Sequence, residues 1–209
     1  MEAVVVIPAY NEQATIGGVV SAAKEVPLVS EVLVVCDGCT DETAVRAAAA
    51  GARVLNLPVN GGKGTAMMAG AAATQAEVIL FIDADLVGLR KQHLIDLLVP
   101  VLEDQADMTV GLFSQGRVAT DLAQFVAPWL SGQRAIKKPL LEALKTREMA
   151  GFSVEVAITA CARQQNWRVK EIELPDLTHI MKEEKLGLVK GISARMKMYW
   201  EIAKGLAAW

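Results

Sequence analysis

Short apolar runs alternate with segments of helical apolar spacing through the first half of the chain. The apolar runs predict strands at residues 3–7, 31–35, 53–57 and 78–82. The segments between them predict a helix at residues 12–25, a second that ends at residue 50, and a third that follows residues 60–64 and ends at residue 75. Pro8 ends the first strand, Thr40 or Asp41 caps the second helix, and Gly51 stops it. Strands joined by helical crossovers predict an α/β fold with a doubly wound, mainly parallel sheet.

The pattern is less regular in the second half. It predicts helices at residues 93–102, 134–145 and 153–164, strands at 108–112 and 168–172, and a polar loop at 176–185. Residues 186–209 have the apolar and basic sides of an amphipathic helix. No Pro/Gly/Ser-rich linker divides the chain, so we expect one domain over residues 1–209, with halves at 1–112 and 113–209.

Charge is distributed unevenly between these halves. The chain has 209 residues, 53% of them hydrophobic, and a net charge of -3. Residues 1–112 contain 6 Lys+Arg and 14 Asp+Glu, whereas residues 113–209 contain 15 and 10. This asymmetry favours a metal on one side and anionic ligands on the other, and the acidic balance argues against nucleic acid. No apolar run reaches the roughly 18 residues of a membrane span, which predicts a cytoplasmic protein.

The strongest local feature is Asp83-Ala84-Asp85, which directly follows the apolar run at 78–82. Open α/β sheets bind ligands beyond the carboxyl ends of their strands. Two carboxylates at such an edge suit a divalent cation that carries a phosphorylated substrate, because Mg²⁺ takes few protein carboxylates and fills its shell with phosphate and water oxygens. The alternative is a pair of solvated acids, or a helix cap made by Asp85.

The loops that follow the first three predicted strands lie at the same edge of the predicted sheet. Residues 8–12 offer an aromatic ring and polar groups, Asp37 offers an acceptor for a base N–H, and residues 61–64 offer glycine amides and the Lys63 ammonium for phosphates. The alternative interpretation of residues 61–64 is a plain glycine-rich turn with no ligand. Cys36 and Cys39 form a C-x-x-C pair, which we interpret as two small loop residues in preference to a redox pair or half a zinc site.

The four loop segments together resemble successive motifs of family-2-type glycosyltransferases with the GT-A fold. The residues that match are Pro8-Ala9-Tyr10-Asn11-Glu12, Asp37-Gly38-Cys39-Thr40-Asp41, Asn60-Gly61-Gly62-Lys63-Gly64 and Asp83-Ala84-Asp85. The resemblance implies a nucleotide-sugar site made of Pro8, Ala9, Tyr10, Glu12, Asp37, Gly62, Lys63, Asp83 and Ala84. It also implies that Asp85 is catalytic and binds Mg²⁺ or Mn²⁺. Cys36 and Cys39 replace an acid and a serine of the common pattern, which leaves the donor base open between the UDP and GDP types.

Parts of the second half are similar to glucosyl-3-phosphoglycerate synthases and their relatives. The similar segments are Gly116-Arg117-Val118, residues 151–155, and Thr178-His179 followed by Lys182. The resemblance implies that His179 completes the metal site and that Gly116, Arg117, Thr120 and Glu155 contact the acceptor. Glu155 itself has three interpretations: a helix cap, an orienting contact for a hydroxyl, or a general base.

We therefore expect a metal-dependent enzyme that transfers a hexose, glucose or mannose, from a nucleoside diphosphate sugar to a small anionic or lipid-phosphate acceptor. Residues 1–112 are the expected donor half and residues 113–209 the acceptor half. A polyprenyl-phosphate glycosyltransferase at the membrane face is the alternative, since the helix at 186–209 has aromatic and basic residues suited to an interface. That helix would otherwise be core packing or a homodimer contact. From other classes, a sugar-phosphate nucleotidyltransferase or a non-catalytic nucleotide-sugar binder remains open.

Overall fold

The fold is described from a computed structural model over residues 2–113, 131–144 and 154–179. Its strands are β1 Ala3–Ala9, β2 Val29–Asp37, β3 Arg53–Leu57, β4 Val78–Phe81, β5 Leu86–Val87, β6 Met108–Phe113, β7 Arg134–Lys137, β8 Val169–Leu174 and β9 Thr178–His179. Its helices are α1 Ile16–Lys24, α2 Thr43–Ala49, α3 Lys63–Ala72, α4 Lys91–Leu102, α5 Lys138–Leu144 and α6 Val154–Gln164.

Seven strands form one sheet in the order β3-β2-β1-β4-β7-β6-β8. The first four strands of this order are mutually parallel, and β8 is parallel to β6. Strand β7 is antiparallel to both of its neighbours, β4 and β6. The prediction of an α/β fold with a mainly parallel, doubly wound sheet is confirmed. The strand order reverses direction between β1 and β4, which places the expected ligand crevice at the carboxyl ends of those two strands.

Apolar side chains cover both faces of the sheet. On one face, Ile16 of α1 and Leu97 of α4 belong to a buried cluster with Val5 of β1. On the other, Met67 of α3 and Ile158 of α6 pack with Val6, the next residue of the same strand. Because successive strand residues point to opposite faces, β1 contributes to both layers of the core and all seven of its residues are buried.

Most predicted elements are present with shifted ends. Helix α1 begins at Ile16 and not at residue 12, because the Glu12 carbonyl accepts the N–H groups of Thr15 and Ile16 in a turn before the helix. The predicted cap by Thr40 or Asp41 is wrong in position, because Glu42 occupies the N-cap of α2 and makes no side-chain cap bond. The Asp41 carboxylate accepts the Thr43 N–H at 3.0 Å from one residue before the N-cap. Gly51 follows that helix with φ +93°, as a C-terminal stop requires.

The predicted helix at 134–145 is wrong in its first four residues. Residues Arg134–Lys137 form β7, between β4 and β6, and α5 starts only at Lys138. Ala135 and Ile136 pack into the cores on opposite faces of the sheet. The strand has only four residues, of which two are charged, and so short a segment has no period that distinguishes a strand from a helix. Pro139 is the second residue of α5, where its missing N–H costs no intrahelical bond.

One small feature at the sheet edge is absent from the sequence prediction. Strand β5, just after Asp85, pairs antiparallel with β9, with Leu86 opposite His179. The predicted helix at 186–209 lies outside the described residues. Across residues 2–113, 131–144 and 154–179, no helix is both long and apolar enough to cross a membrane.

Candidate functional site

The predicted site residues of the first half meet at the crevice between β1 and β4. Pro8 and Ala9 end β1, Asp37 ends β2, and Asp83 lies just beyond β4. Ala84 is buried, whereas the Tyr10 side chain is half exposed above β1. Parallel strands present their carboxyl ends at one edge, so residues far apart in sequence converge there.

Asp37 organises the glycine-rich third loop. Its side chain is buried, and its Oδ1 and Oδ2 atoms accept the N–H groups of Gly61 and Gly62, each at 2.8 Å. Asp37 thus already accepts the N–H groups of these two glycines, and the predicted phosphate contact of the loop amides stays a prediction. A carboxylate has about four acceptor positions, which leaves Asp37 capacity for a ligand N–H.

Gly38 allows this close approach of the two loops. It adopts φ +69°, and a Cβ atom there would lie 2.6 Å from the Asn60 nitrogen. Gly62, with φ +88°, then turns the chain into α3. The second and third loops thus form one rigid wall of the crevice.

Lys63 joins the two halves of the chain. It is the first residue of α3, and its Nζ lies 2.5 Å from Asp83 Oδ1 and 2.6 Å from Glu155 Oε1. Burial alone would lower the pKa of Lys63, but Asp83 and then Glu155 outweigh it and hold that pKa above its usual value. Glu155, which lies in the first turn of α6, is only 8% exposed. It is thus an ion-pair partner inside the site and more than a helix cap.

Sequence reasoning missed the segment that closes the site from the side of β7. Gln133 Nε2 donates to Asp83 Oδ2 at 2.8 Å, so both oxygens of Asp83 have protein partners. Gly132 leaves room for this arrangement, because a Cβ atom there would lie 2.5 Å from both Asp83 Oδ1 and Lys63 Nζ. The one sequence signal is the small Ser131-Gly132 pair ahead of two long polar residues.

Arg134 lies beneath this cluster with no exposed surface. Its Nε donates to the Ser131 carbonyl at 2.8 Å, and its NH1 donates to the Glu155 carbonyl at 3.1 Å and to Thr159 Oγ1 at 3.0 Å. Burial lowers the pKa of Arg134 to about 10, against the opposing effect of Glu155 and Asp83. Two cations and two carboxylates therefore face each other in this part of the site.

Asp85 is the residue with the chemistry and position to hold a metal. It is half-buried in the turn that follows β4 and directly precedes β5, whose partner strand contains His179. The pairing places the His179 backbone opposite the residue after Asp85, while its side chain lies outside the described part of the structure. Within that part, no three His, Cys, Asp or Glu side chains cluster as a metal site. A single carboxylate still fits Mg²⁺ or Mn²⁺, because phosphate and water oxygens supply most of such a shell.

The remaining predicted residues have other contacts or are not described. The Glu12 N–H donates to Thr43 Oγ1 at 2.8 Å, which ties the first loop to α2. Cys39 Sγ donates to the Ala9 carbonyl at 3.3 Å, and burial raises the pKa of the neighbouring Cys36 thiol to about 12. A thiol with so high a pKa is a poor nucleophile. Cys36 lies within β2, so of the two predicted loop residues only Cys39 is in the loop. Gly116, Arg117 and Thr120 lie outside the described residues.

Comparison with known proteins agrees with this geometry. Residues 4–161 match the family model described as glycosyl transferase family 2. The chain is 34% identical over 153 residues to glucosyl-3-phosphoglycerate synthase of Mycobacterium tuberculosis, covering 68% of this chain and 47% of that protein. It is 40% identical over 107 residues to the enzyme of Mycolicibacterium smegmatis, covering 47% of this chain and 35% of that protein. The chain thus spans about half, or less than half, of the length of the curated relatives that it matches.

Solved structures of the same enzyme share the fold. The M. tuberculosis glucosyl-3-phosphoglycerate synthase in complex with Mn²⁺, UDP-glucose and phosphoglyceric acid superposes with a TM-score of 0.79 at 27% identity, covering 99% of this chain and 79% of that one. Its complex with Mg²⁺ and UDP gives a TM-score of 0.72 at 30% identity, covering 86% and 71%. With its sheet, its loops at the β1/β4 crevice and the match over residues 4–161, this chain belongs to glycosyl transferase family 2.

Proposed function

We propose that this protein transfers glucose from UDP-glucose to a small phosphorylated carboxylic acid acceptor of the phosphoglycerate type, in the presence of Mg²⁺ or Mn²⁺. The observation that carries the proposal is the cluster of Asp83, Lys63 and Glu155 beside Asp85, at the edge where the sheet reverses its strand order. The similar enzyme of M. tuberculosis was crystallised with Mn²⁺, UDP-glucose and phosphoglyceric acid. Its ligands match a crevice that combines metal, nucleotide and anion chemistry.

On the donor side, we assign the nucleoside to the wall formed by the first three loops. Asp37 fixes the third loop through Gly61 and Gly62 and retains acceptor capacity for a base N–H. We assign Pro8 and Ala9 at the end of β1, and Tyr10 and Glu12 in the loop that follows it, to the same space, with Tyr10 offering a half-exposed aromatic face. Asp83 and Ala84 lie next to it and are assigned to the ribose.

Asp85, with His179 as a second ligand, is assigned to the metal. When bound, a divalent cation neutralises the negative charge that develops on the diphosphate leaving group as the glycosidic bond breaks. Lys63 adds a fixed positive charge beside the same group and also holds Asp83 in place. The chain's own residues therefore orient the donor and balance its charge.

On the acceptor side, we assign Glu155 to orienting a hydroxyl of the acceptor or the sugar. Its carboxylate is fixed by Lys63 at 2.6 Å, which favours a positioning contact over free proton transfer. Gly116, Arg117 and Thr120 are assigned to the acceptor's anionic groups, a role that suits the 15 Lys+Arg of residues 113–209. The membrane-face alternative depends on residues 186–209, beyond the described ranges.

The experiment is nucleotide release from a donor panel with a panel of acceptors. UDP-glucose with 3-phosphoglycerate and Mn²⁺ is expected to give UDP and a glucosylated acid, with GDP-mannose and UDP-galactose slower. Transfer only to a polyprenyl phosphate in vesicles would overturn the acceptor assignment in favour of a membrane enzyme. Pyrophosphate from a sugar phosphate and a nucleoside triphosphate would identify a nucleotidyltransferase instead. Binding of UDP-glucose with no turnover on any acceptor would indicate a non-catalytic binder.

Replacing Asp37 with asparagine tests the donor wall. The amide has one acceptor oxygen, so it loses one of the two backbone bonds to Gly61 and Gly62 and leaves that loop less ordered. We expect the affinity for UDP to fall by about 10-fold, equivalent to one lost charge-assisted hydrogen bond. Isothermal titration with UDP and Mn²⁺ measures this, with Glu42→Gln at the exposed start of α2 as the control. Unchanged affinity in Asp37→Asn would remove Asp37 from the donor site.

A further inference from the structure

Arg134 is a fully buried cation that the donor and acceptor assignments above do not use. It is the first residue of β7 and lies opposite Phe81 of β4 in the sheet. Burying a guanidinium is costly unless its N–H groups are satisfied and its charge is compensated. Its surroundings meet both conditions, because it donates to three oxygens and lies near the charges of Glu155 and Asp83. A group retained at this cost calls for a specific reason.

Its hydrogen bonds connect the two segments that hold the charged groups of the site. Nε donates to the carbonyl of Ser131, which closes the turn that presents Gln133 to Asp83. NH1 donates to the carbonyl of Glu155 and to Thr159 Oγ1, which fixes the first turn of α6. Thr159 Oγ1 also donates back to the Glu155 carbonyl at 2.9 Å, so this turn is held twice.

A fork-shaped donor is needed for this arrangement. The guanidinium presents several N–H groups in fixed directions, so one side chain reaches oxygens both on the segment before β7 and on α6. A lysine at the same position offers a point charge without that fixed geometry. The role is therefore geometric as well as electrostatic.

We propose that Arg134 is a positioning residue, which sets Glu155 against Lys63 and Gln133 against Asp83 and thereby aligns the acceptor-side helix with the donor loop. The inference rests on the proposed function, because it gives Glu155 and Asp83 their roles in transfer. Arg134 itself touches neither substrate nor metal, and its effect passes through the two segments it fastens. Its loss therefore lowers turnover more than nucleotide affinity.

The test compares Arg134→Met, Arg134→Lys and Thr159→Val with the unchanged protein. For Arg134→Met, kcat at saturating UDP-glucose is expected to fall about 10- to 100-fold, the usual effect of losing a residue that orients a site, while the Kd for UDP with Mn²⁺ changes less than about threefold. Arg134→Lys is expected to restore little of this loss. Thr159→Val keeps the side-chain shape but removes one acceptor of NH1, and is expected to lower kcat about threefold to tenfold.

A second readout needs no turnover. The Lys63 ammonium is held between two carboxylates, so it is expected to react slowly with an acylating reagent, and mass spectrometry follows its modification at constant pH. Arg134→Met and Thr159→Val are expected to speed this labelling by about fivefold or more. A fivefold change corresponds to a loss of roughly 1 kcal/mol in the free energy that holds Lys63 in its ion pairs. Arg163→Met, at the exposed end of α6, is the matched control and leaves both readouts unchanged.

The outcomes test the positioning role of Arg134 separately from the proposed function. The role of Arg134 is overturned if folded Thr159→Val has the same kcat and the same Lys63 labelling rate as the unchanged protein. This test holds even if Arg134→Met fails to fold. Parallel losses of kcat and UDP affinity, or full activity in Arg134→Lys, also overturn it. Absence of glucosyl transfer in the unchanged protein would overturn the proposed function, whereas the Lys63 labelling would still decide the positioning role.

Discussion

Asp85→Asn is expected to lower metal-dependent turnover at least about 100-fold, the range found when a principal electrostatic stabiliser of a leaving group is removed. Asparagine keeps the size of the side chain but lacks the negative charge that a divalent cation requires. Asp85 is the half-buried carboxylate in the turn after β4 that lies nearest in sequence to the β5/β9 pair. Asp83 is less able to replace it, because Lys63 and Gln133 already occupy both of its oxygens.

The measurement is UDP release from UDP-glucose over a Mn²⁺ titration. Asp85→Asn is expected to show a raised metal requirement together with a low plateau, since the remaining ligands hold the cation weakly. Asp96→Asn is the control, because Asp96 lies on α4 and accepts a hydrogen bond from the Gln92 side chain on the exposed helix surface. Turnover by Asp85→Asn at the rate of the unchanged protein, at any Mn²⁺ concentration, would place the metal elsewhere.

The parts of the site that the sequence predicts correctly are those governed by local pattern. Asp37 and Asp83 each follow an apolar run, and parallel strands bring such positions to one edge without any further information. Gly51 is likewise found just after its helix, where its conformational preference puts it, whereas the predicted cap at Asp41 lies one residue before the N-cap. Local pattern was therefore sufficient to place the ends of these strands at one edge of the sheet.

The parts that it misses depend on contacts between distant segments. The strand at Arg134–Lys137 is defined by pairing with β4 and β6, and nothing in its four residues distinguishes it from the start of a helix. Gln133 and Arg134 gain their roles from partners 50 residues upstream and 25 residues downstream. The use of the Gly61 and Gly62 amides by Asp37 is of the same kind. Convergence of loops is predictable, but the pairing of side chains within them is not.

Lys63→Met is expected to affect both stability and activity, because it removes the cation shared by Asp83 and Glu155. Breaking a buried ion pair costs about 3–5 kcal/mol. The Lys63 side chain is 38% exposed, so screening by water reduces the expected loss of unfolding free energy to about 1–3 kcal/mol. Turnover is expected to fall about 100-fold, since two carboxylates that keep only the buried Arg134 as a nearby cation repel each other and the donor diphosphate. Urea unfolding and UDP release measure the two effects.

The contribution of Lys63 to the free energy of unfolding is expected to depend on pH. Asp83 and Glu155 hold the pKa of Lys63 above its usual value, so the charged form is favoured in the folded state. The stabilisation is complete below the unfolded pKa of about 10.4 and is lost as the pH rises through the folded value. The difference in unfolding free energy between the unchanged protein and Lys63→Met is therefore expected to be constant from pH 7 to 9 and to decline in more alkaline solution. Lys170→Met, on exposed β8, is expected to show no such difference. If Lys63→Met were as stable as the unchanged protein at pH 8, the ion pairs that join the two halves of the site would not exist in solution.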